Sequence, residues 1–310
     1  MKRVIIFLGL CLLNYPIFAQ KSAVLAIPAD NNDPFWKIVV KGSRDAAQKF
    51  DVNLEIMNYS AVDVHEEINA IDIALSKPAD TTIFSIHHQT PELMHALEYS
   101  SREGRLVQII NSGETAIIKA GIKGNFIGMN DYKAGIRMGQ GFDNLSVDKV
   151  LVISHFPPDD LVVEARLAGL KAGMPNADVQ LLDISGTTQD EAKKSILNTM
   201  QKNVALDAIV SISPNSLETI DDALGLSKGN NTPFKIATFD LSPLTAELIT
   251  SDRVLFAIDQ HPYLQGFYAV VNASLYADYE LYPNGSIMTG PTTVYAQDIK
   301  SIDAYIGITR

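Results

Sequence analysis

Apolar positions along this chain come in short unbroken runs that alternate with stretches of helical repeat. Ala23 to Ile27 (AVLAI) is a run of the kind buried on both faces of a parallel sheet. It is followed by Phe35 to Phe50, with apolar residues at Phe35, Ile38, Val39, Ala46, Ala47 and Phe50. The same grammar then repeats. Strands are expected at 52–57, 82–86, 106–110 and 125–130, with helices at 64–76, 91–102 and 132–142 between or after them. A second series has strands at 149–153, 179–182, 208–211, 235–238 and 254–258 and helices at 161–172, 189–201, 216–226 and 243–249. A long helix over 262–279 and a strand-like 292–295 close the chain. Unbroken strand–helix alternation argues for an α/β fold with helices on both faces of a parallel sheet, here in two doubly wound series of similar length. The two halves are not separated by a low-complexity linker, so the expected join is several close crossings and not one tether.

The first residues break the pattern. Lys2 and Arg3 precede the apolar run Val4 to Leu13, too short to span a bilayer, and a small residue, Ala19, marks a cleavage point. Residues 1–19 therefore read as a secretory signal peptide, and a soluble exported protein is expected. Cys11, the single cysteine, lies inside that leader, so the mature chain has no disulfide, thiolate metal site or cysteine nucleophile. Of 310 residues 46% are hydrophobic and 20% charged, which is ordinary for a globular protein with room for two cores. The 25 basic residues less Lys2 and Arg3 leave 23 against 36 acidic ones, a formal charge of −13. Such a balance excludes nucleic acid as a partner, because a phosphate-backbone binder needs a basic face.

Candidate chemistry gathers where strands end. Asn31-Asn32-Asp33-Pro34-Phe35-Trp36 joins the first strand to the first helix, with Asp33 as the expected N-cap and Pro34 at the first helical position. Phe35 and Trp36 are either core aromatics or faces for a polyhydroxylated ligand, whose C–H surfaces stack and whose hydroxyls donate and accept. Asn111, Asp240 and Gln260 also follow strands, and Arg166 lies on the helix after another. Polar groups at several carboxyl ends converge in doubly wound folds. Each taken singly reads as a cap or turn residue, Asp240 before Ser242-Pro243 most of all. His87, beside His88 at a strand end, is a further ligand-contact candidate.

Other chemistries find less support. Gly135, Gly139 and Gly141 fall within a helical pattern, which suits helix packing and not phosphate binding, and there is no Walker-type sequence. The six histidines lack the i, i+4 spacing with a carboxylate that marks a zinc protease, so no metal is expected. Ser154-His155 and Asp159-Asp160 have no nucleophile-elbow context, and the acidic pair reads as the opening of a helix. Neither a catalytic residue nor a cofactor is expected.

Three stretches, NNDPFWKIVVKGSRDAAQKF (31–50), IGMNDYKAGIRMG (127–139) and FKIATFDLSPLTAELITSDRVLFAIDQHPYLQGFYAVV (234–271), resemble the type I periplasmic binding proteins of the ribose- and galactose-binding kind. The resemblance implies two lobes, residues 20–129 plus 262–289 and 130–261 plus 290–310, joined by a three-segment hinge near Met129, His261 and Gly290 and closing on a sugar. By matching position, Phe35 and Trp36 would stack on the sugar while Asp33, Arg166, Asp240 and Gln260 bond its hydroxyls; Asn215 matches a further contact loosely. Asn111 and Ser112 fall where ribose binders have aspartate and arginine, and Asp33 where they have asparagine. These departures count against ribose itself and leave another pentose, a hexose or a polyol. The resemblance further implies a monomer that captures a monosaccharide or similar polyol and delivers it to the permease of an ABC transporter. A sensor subunit serving a membrane kinase or chemoreceptor is the alternative of the same fold, and a secreted carbohydrate-active enzyme the alternative of another class.

Overall fold

The computed structural model describes residues 20–28, 33–59, 63–203 and 205–310; the leader at 1–19, and Asn31 and Asn32 of the first turn, lie outside the described residues. The first half reads β1 (Lys21–Ile27), α1 (Pro34–Phe50), β2 (Val52–Asn58), α2 (Val64–Ser76), β3 (Thr81–Phe84), α3 (Pro91–Arg102), β4 (Leu106–Asn111), α4 (Glu114–Ala120) and β5 (Gly124–Met129). The second reads α5 (Asp131–Gln140), β6 (Lys149–Ser154), α6 (Leu161–Gly173), β7 (Asp178–Asp183), α7 (Gln189–Lys202), β8 (Ala208–Ser211), α8 (Pro214–Leu224), β9 (Lys235–Phe239), α9 (Pro243–Thr250) and β10 (Ala257–Asp259). The chain then forms α10 (Pro262–Tyr279), β11 (Ile287–Gly290), β12 (Thr292–Val294) and α11 (Ala296–Ile302).

Two six-stranded sheets result, ordered β11-β5-β4-β3-β1-β2 and β12-β10-β9-β8-β6-β7. All pairings are parallel except that of β12 with β10. Every residue of β3 and β4 is buried, as apolar runs inside a doubly covered sheet require. At the two edges β2 and β7 show alternating burial, because only one face is covered there. The chain passes from the first sheet to the second after Met129, back between Asp259 and Pro262, and forward again between Gly290 and Thr292.

On its return α10 packs Ala269, Val270 and Ala273 against Ala23, Leu25 and Ile27 of the first sheet. Its seat is fixed by buried amides: Gln108 Nε2 donates to the Ala269 carbonyl at 2.7 Å, and Asn272 Nδ2 to Gln108 Oε1 at 3.0 Å. Three elements carried too little periodicity to be read from sequence. The helix α4 spans seven residues between Gly113 and Gly121, β11 is a four-residue strand, and α11 is another seven-residue helix. Helix α8 begins two residues before the expected start, since Ser213 caps it and Pro214 takes the first position.

The glycines of the 135–141 segment serve close packing. A Cβ on Gly135 would sit 2.2 Å from the Arg166 carbonyl oxygen, and one on Gly169 2.0 Å from that of Tyr132, so α5 and α6 touch backbone to backbone. Gly135→Ala is accordingly expected to lower the unfolding free energy by about 1–3 kcal/mol in urea denaturation; an unchanged midpoint would contradict the packing.

Candidate functional site

The carboxyl ends of the central strands of both sheets face one pocket of roughly 390 Å³ of space free of atoms. Asp33, Phe35, Trp36, His87, Asn111, Arg166, Asn215, Asp240 and Gln260 all line it, together with His155, Phe156, Val162, Ser213 and Pro214.

From the first half, Asp33 caps α1: its Oδ1 accepts from the Phe35 and Trp36 amides at 2.9 and 3.2 Å. The cap holds both aromatic residues at the start of the helix, where their rings meet edge to face with centroids 5.1 Å apart. Both are buried yet reach the pocket, so the two readings of this pair, core and lining, hold together.

Asn111 ends β4 with φ of 65°, and Asp240 follows β9 with φ of 64°. This left-handed conformation turns each side chain out of its strand direction, and Asn and Asp tolerate it because their short polar groups bond locally. Asp240 is not the cap of α9; Ser242 is, through Thr245 N. The cap reading of Asp240 thus fails, while the turn reading holds, and the turn places a buried carboxylate on the pocket.

Arg166 is buried on α6. Its Nε donates to Asp131 Oδ1 at 2.8 Å and its Nη1 to the Ile212 carbonyl at 2.8 Å, and Nη1 lies 3.8 Å from Asp240 Oδ2. The guanidinium carbon stands 4.3 Å from the centroid of the Phe239 ring. Two of the three guanidinium nitrogens are therefore engaged by the protein, through two of the group's five N–H donors, and the other three, on Nη1 and Nη2, remain. Burial pushes the Asp240 carboxyl up to about 7, with Arg166 and the Gln260 amide pulling the other way. Asp240 Oδ1 is buried and has no hydrogen-bond partner among the described residues, whereas Oδ2 accepts from Gln260 Nε2 at 3.1 Å. Burial also raises the Asp131 carboxyl, against the pull of Arg166.

Among the described residues, three side-chain pairs join the two halves across the pocket, and the Leu161 amide also donates to the His87 carbonyl at 3.0 Å. Asn215 Nδ2 donates to Asp33 Oδ2 at 3.0 Å, Asn111 Nδ2 to Gln260 Oε1 at 3.2 Å, and His87 Nδ1 stands 2.7 Å from Asp160 Oδ2. His87 Nε2 lies 3.2 Å from Ser85 Oγ, so both its ring nitrogens are engaged and only its ring face remains for a ligand. Asp160 is the N-cap of α6, as the helix-opening reading of the acidic pair requires, and its second oxygen reaches His87. His155 and Phe156, whose rings are tilted by 40° with centroids 3.9 Å apart, were missed as lining residues. The signal for them was present in ISHFPPDD, which repeats the order of strand end, proline turn and Asp cap seen at Asp33.

This arrangement offers acceptors, amide donors, the Arg166 guanidinium and the His87 ring around aromatic faces. Among the described residues no group of three or more His, Cys, Asp or Glu is arranged to hold a metal.

Burial opposes a charge on His87, but the Asp160 carboxylate outweighs it and raises the histidine above 6.5. Burial likewise opposes the Asp160 charge, and His87 with the cap amides holds that carboxyl below 3.8. Stabilisation by the ionised pair is therefore full between those values, lost as pH rises through the raised histidine pKa and lost as pH falls through the depressed aspartate pKa. His87→Gln is expected to cost on the order of 3 kcal/mol at about pH 5–6, and distinctly less at about pH 9, in denaturation profiles. A deficit that does not vary with pH would contradict an ionised pair.

Solved structures resemble this architecture along nearly its full length. A carbohydrate transporter from Acidothermus cellulolyticus 11B in complex with myo-inositol superposes with a TM-score of 0.85 at 22% identity, covering 94% of this chain and 100% of that one. A periplasmic sugar-binding protein of an ABC sugar transporter from Legionella pneumophila gives 0.79 at 22%, covering 87% and 99%. An ABC transporter solute-binding protein from Burkholderia graminis C4D1M in complex with D-arabinose gives 0.79 at 19%, covering 92% and 98%. At these identities the likeness is one of fold. A search of curated proteins found no match. The sequence itself matches the family described as periplasmic binding protein domain over residues 23–280, and the chain belongs to that family.

Proposed function

We propose that this protein is a non-enzymatic receptor that captures a neutral monosaccharide or polyol between its lobes and delivers it to the permease of an ABC importer. The observation that carries this reading is the convergence on one pocket of Asp33, Asn111, Asn215, Asp240 and Gln260 with Phe35 and Trp36, drawn from strand ends and helix starts in both sheets. The bare Oδ1 of Asp240 supports it, since a buried acceptor with no partner suits a ligand hydroxyl. So does the charge balance, in which Arg166 is already countered by Asp131 and Asp240, a setting that disfavours an anionic ligand. The similar structures described as complexes with myo-inositol and D-arabinose support the same ligand class.

In this reading Phe35 and Trp36 stack on the ligand's C–H face, and Asp33, Asn111, Asn215, Asp240, Gln260 and the remaining guanidinium nitrogen of Arg166 bond its hydroxyls. The ring of His87 closes one wall. Residues 1–19 direct export to the periplasm and are removed. The lobes, 20–129 plus 262–289 and 130–261 plus 290–310, move as bodies about the three crossings, and the receptor acts as a monomer.

Trp36 is the only tryptophan, so its fluorescence reports on the pocket. Titrating the mature protein with pentoses, hexoses, inositols and sugar alcohols is expected to give saturable binding for a few of them. Asp240→Ala should weaken that binding by about 10-fold, the worth of a buried hydrogen bond lost with its partner left unpaired. A folded protein that binds nothing in the panel, by calorimetry as well as fluorescence, would overturn the proposal.

A further inference from the structure

A second cavity, with about 1400 Å³ of space free of atoms, adjoins the pocket and opens to solvent. Asp33, His155, Pro214 and Asn215 line both and so stand between the two spaces. There the Asn215 amide meets Asp33 at 3.0 Å. The walls of the outer cavity differ in kind from those of the inner pocket. Pro34, Pro214 and Pro243, each at the first position of its helix, give flat apolar faces, and Gln189 and Thr219 give polar edges. Neither the inner aromatic pair nor Arg166 reaches it.

His155 stands at the junction with a defined donor. Ser213 Oγ and Ser216 Oγ lie 2.9 and 3.0 Å from its Nδ1. Each of these hydroxyls also accepts from a backbone amide, that of Ser216 and that of His155 respectively, both at 3.3 Å. Ser213 Oγ also donates to Ser216 Oγ at 3.5 Å, which leaves the Ser216 proton for Nδ1, and with Nδ1 accepting, the ring proton falls on Nε2. Burial holds the ring down to about 4, so at neutral pH it is an uncharged Nε2–H donor.

We propose that the outer cavity is a second glycosyl subsite, so that the ligand is a glycoside whose inner ring occupies the pocket and whose second ring lies among the three prolines, with the linking oxygen at His155. This deepens the receptor reading above and rests on it. The linking oxygen accepts from Nε2–H and displaces the Asn215–Asp33 contact. The second ring packs its C–H faces on the prolines and turns its hydroxyls to Gln189 and Thr219. A neutral sugar ring suits this surface, which among the described residues presents Asp33 and Glu218 and no Lys or Arg.

The test is calorimetry on the mature protein with matched pairs: myo-inositol against its galactoside, D-galactose against melibiose, and D-arabinose against an arabinobiose. For the inner ring that binds, the glycoside is expected to bind at least 10-fold more tightly. Gln189→Ala, an exposed change, should lower glycoside affinity about 5-fold and leave the single ring unaffected. Monosaccharide binding with the glycosides equal, weaker or excluded would overturn the second subsite and leave the receptor reading standing. Binding of neither member of any pair would overturn both.

Discussion

A single run of hydrogen bonds ties the two halves of the pocket together, and the positions of the other lining groups follow from it. Asp160 holds His87, His87 reaches Ser85, Ser85 donates to Asn111 at 3.5 Å, Asn111 to Gln260, and Gln260 to Asp240. The run begins and ends on carboxylates of the second half and passes through the first half between them. Its direction is fixed by chemistry. A protonated His87 can only donate, so Ser85 accepts from it and has its own proton to pass on, and each amide beyond accepts on oxygen and donates on nitrogen. Beside the far end lies Arg166, pinned by Asp131 and the Ile212 carbonyl, so the polar interior contains one guanidinium between two carboxylates. Buried charges persist only when paired, and removing one member leaves the others exposed to the full cost of desolvation.

The two sheets repeat one plan, with β5-β4-β3-β1-β2 in the first matched by β10-β9-β8-β6-β7 in the second. Equivalent positions carry equivalent devices. Asp33 caps the helix after β1 and Asp160 the helix after β6; Asn111 ends β4 and Asp240 follows β9, both with positive φ. Facing copies of one strand-end arrangement place polar groups on both sides of the pocket. Chemically they differ, however. The first half supplies Phe35 and Trp36 at its helix start, where the second supplies Val162 and Val163, and the second half supplies the cation. The pocket therefore sets the Phe35–Trp36 pair of one half against the guanidinium of the other, an asymmetry that suits a ring with distinct faces and edges.

Much of this was legible in the sequence because the signals were local. Buried parallel strands announce themselves as apolar runs, and caps such as Asp33 stand beside the helices they start. The nine candidate residues line one pocket because strand ends converge in any fold of this class, a consequence of topology that needs no contact information. What stayed hidden was relational. That Arg166 spends two nitrogens on Asp131 and Ile212 depends on the approach of α5 to α6 and on the end of β8, and nothing in the spacing of 131, 166 and 212 reveals it. The pairing of His87 with Asp160 likewise joins residues from opposite halves, and the role of His155 emerges only beside Ser213 and Ser216. Short elements such as α4 and β11 escaped because four to seven residues hold too little periodicity to be read.

The central claim is that one small polyhydroxylated ligand engages strand ends of both halves at once. Hydrogen exchange by mass spectrometry, on the mature protein with and without a saturating ligand from the titration panel, reads this directly. The account predicts that amides around Asn111–Gly113 and around Asp240–Ser242 become protected together, at the same ligand concentration. Protection confined to one of these segments, with the other exchanging as in the free protein, would contradict it.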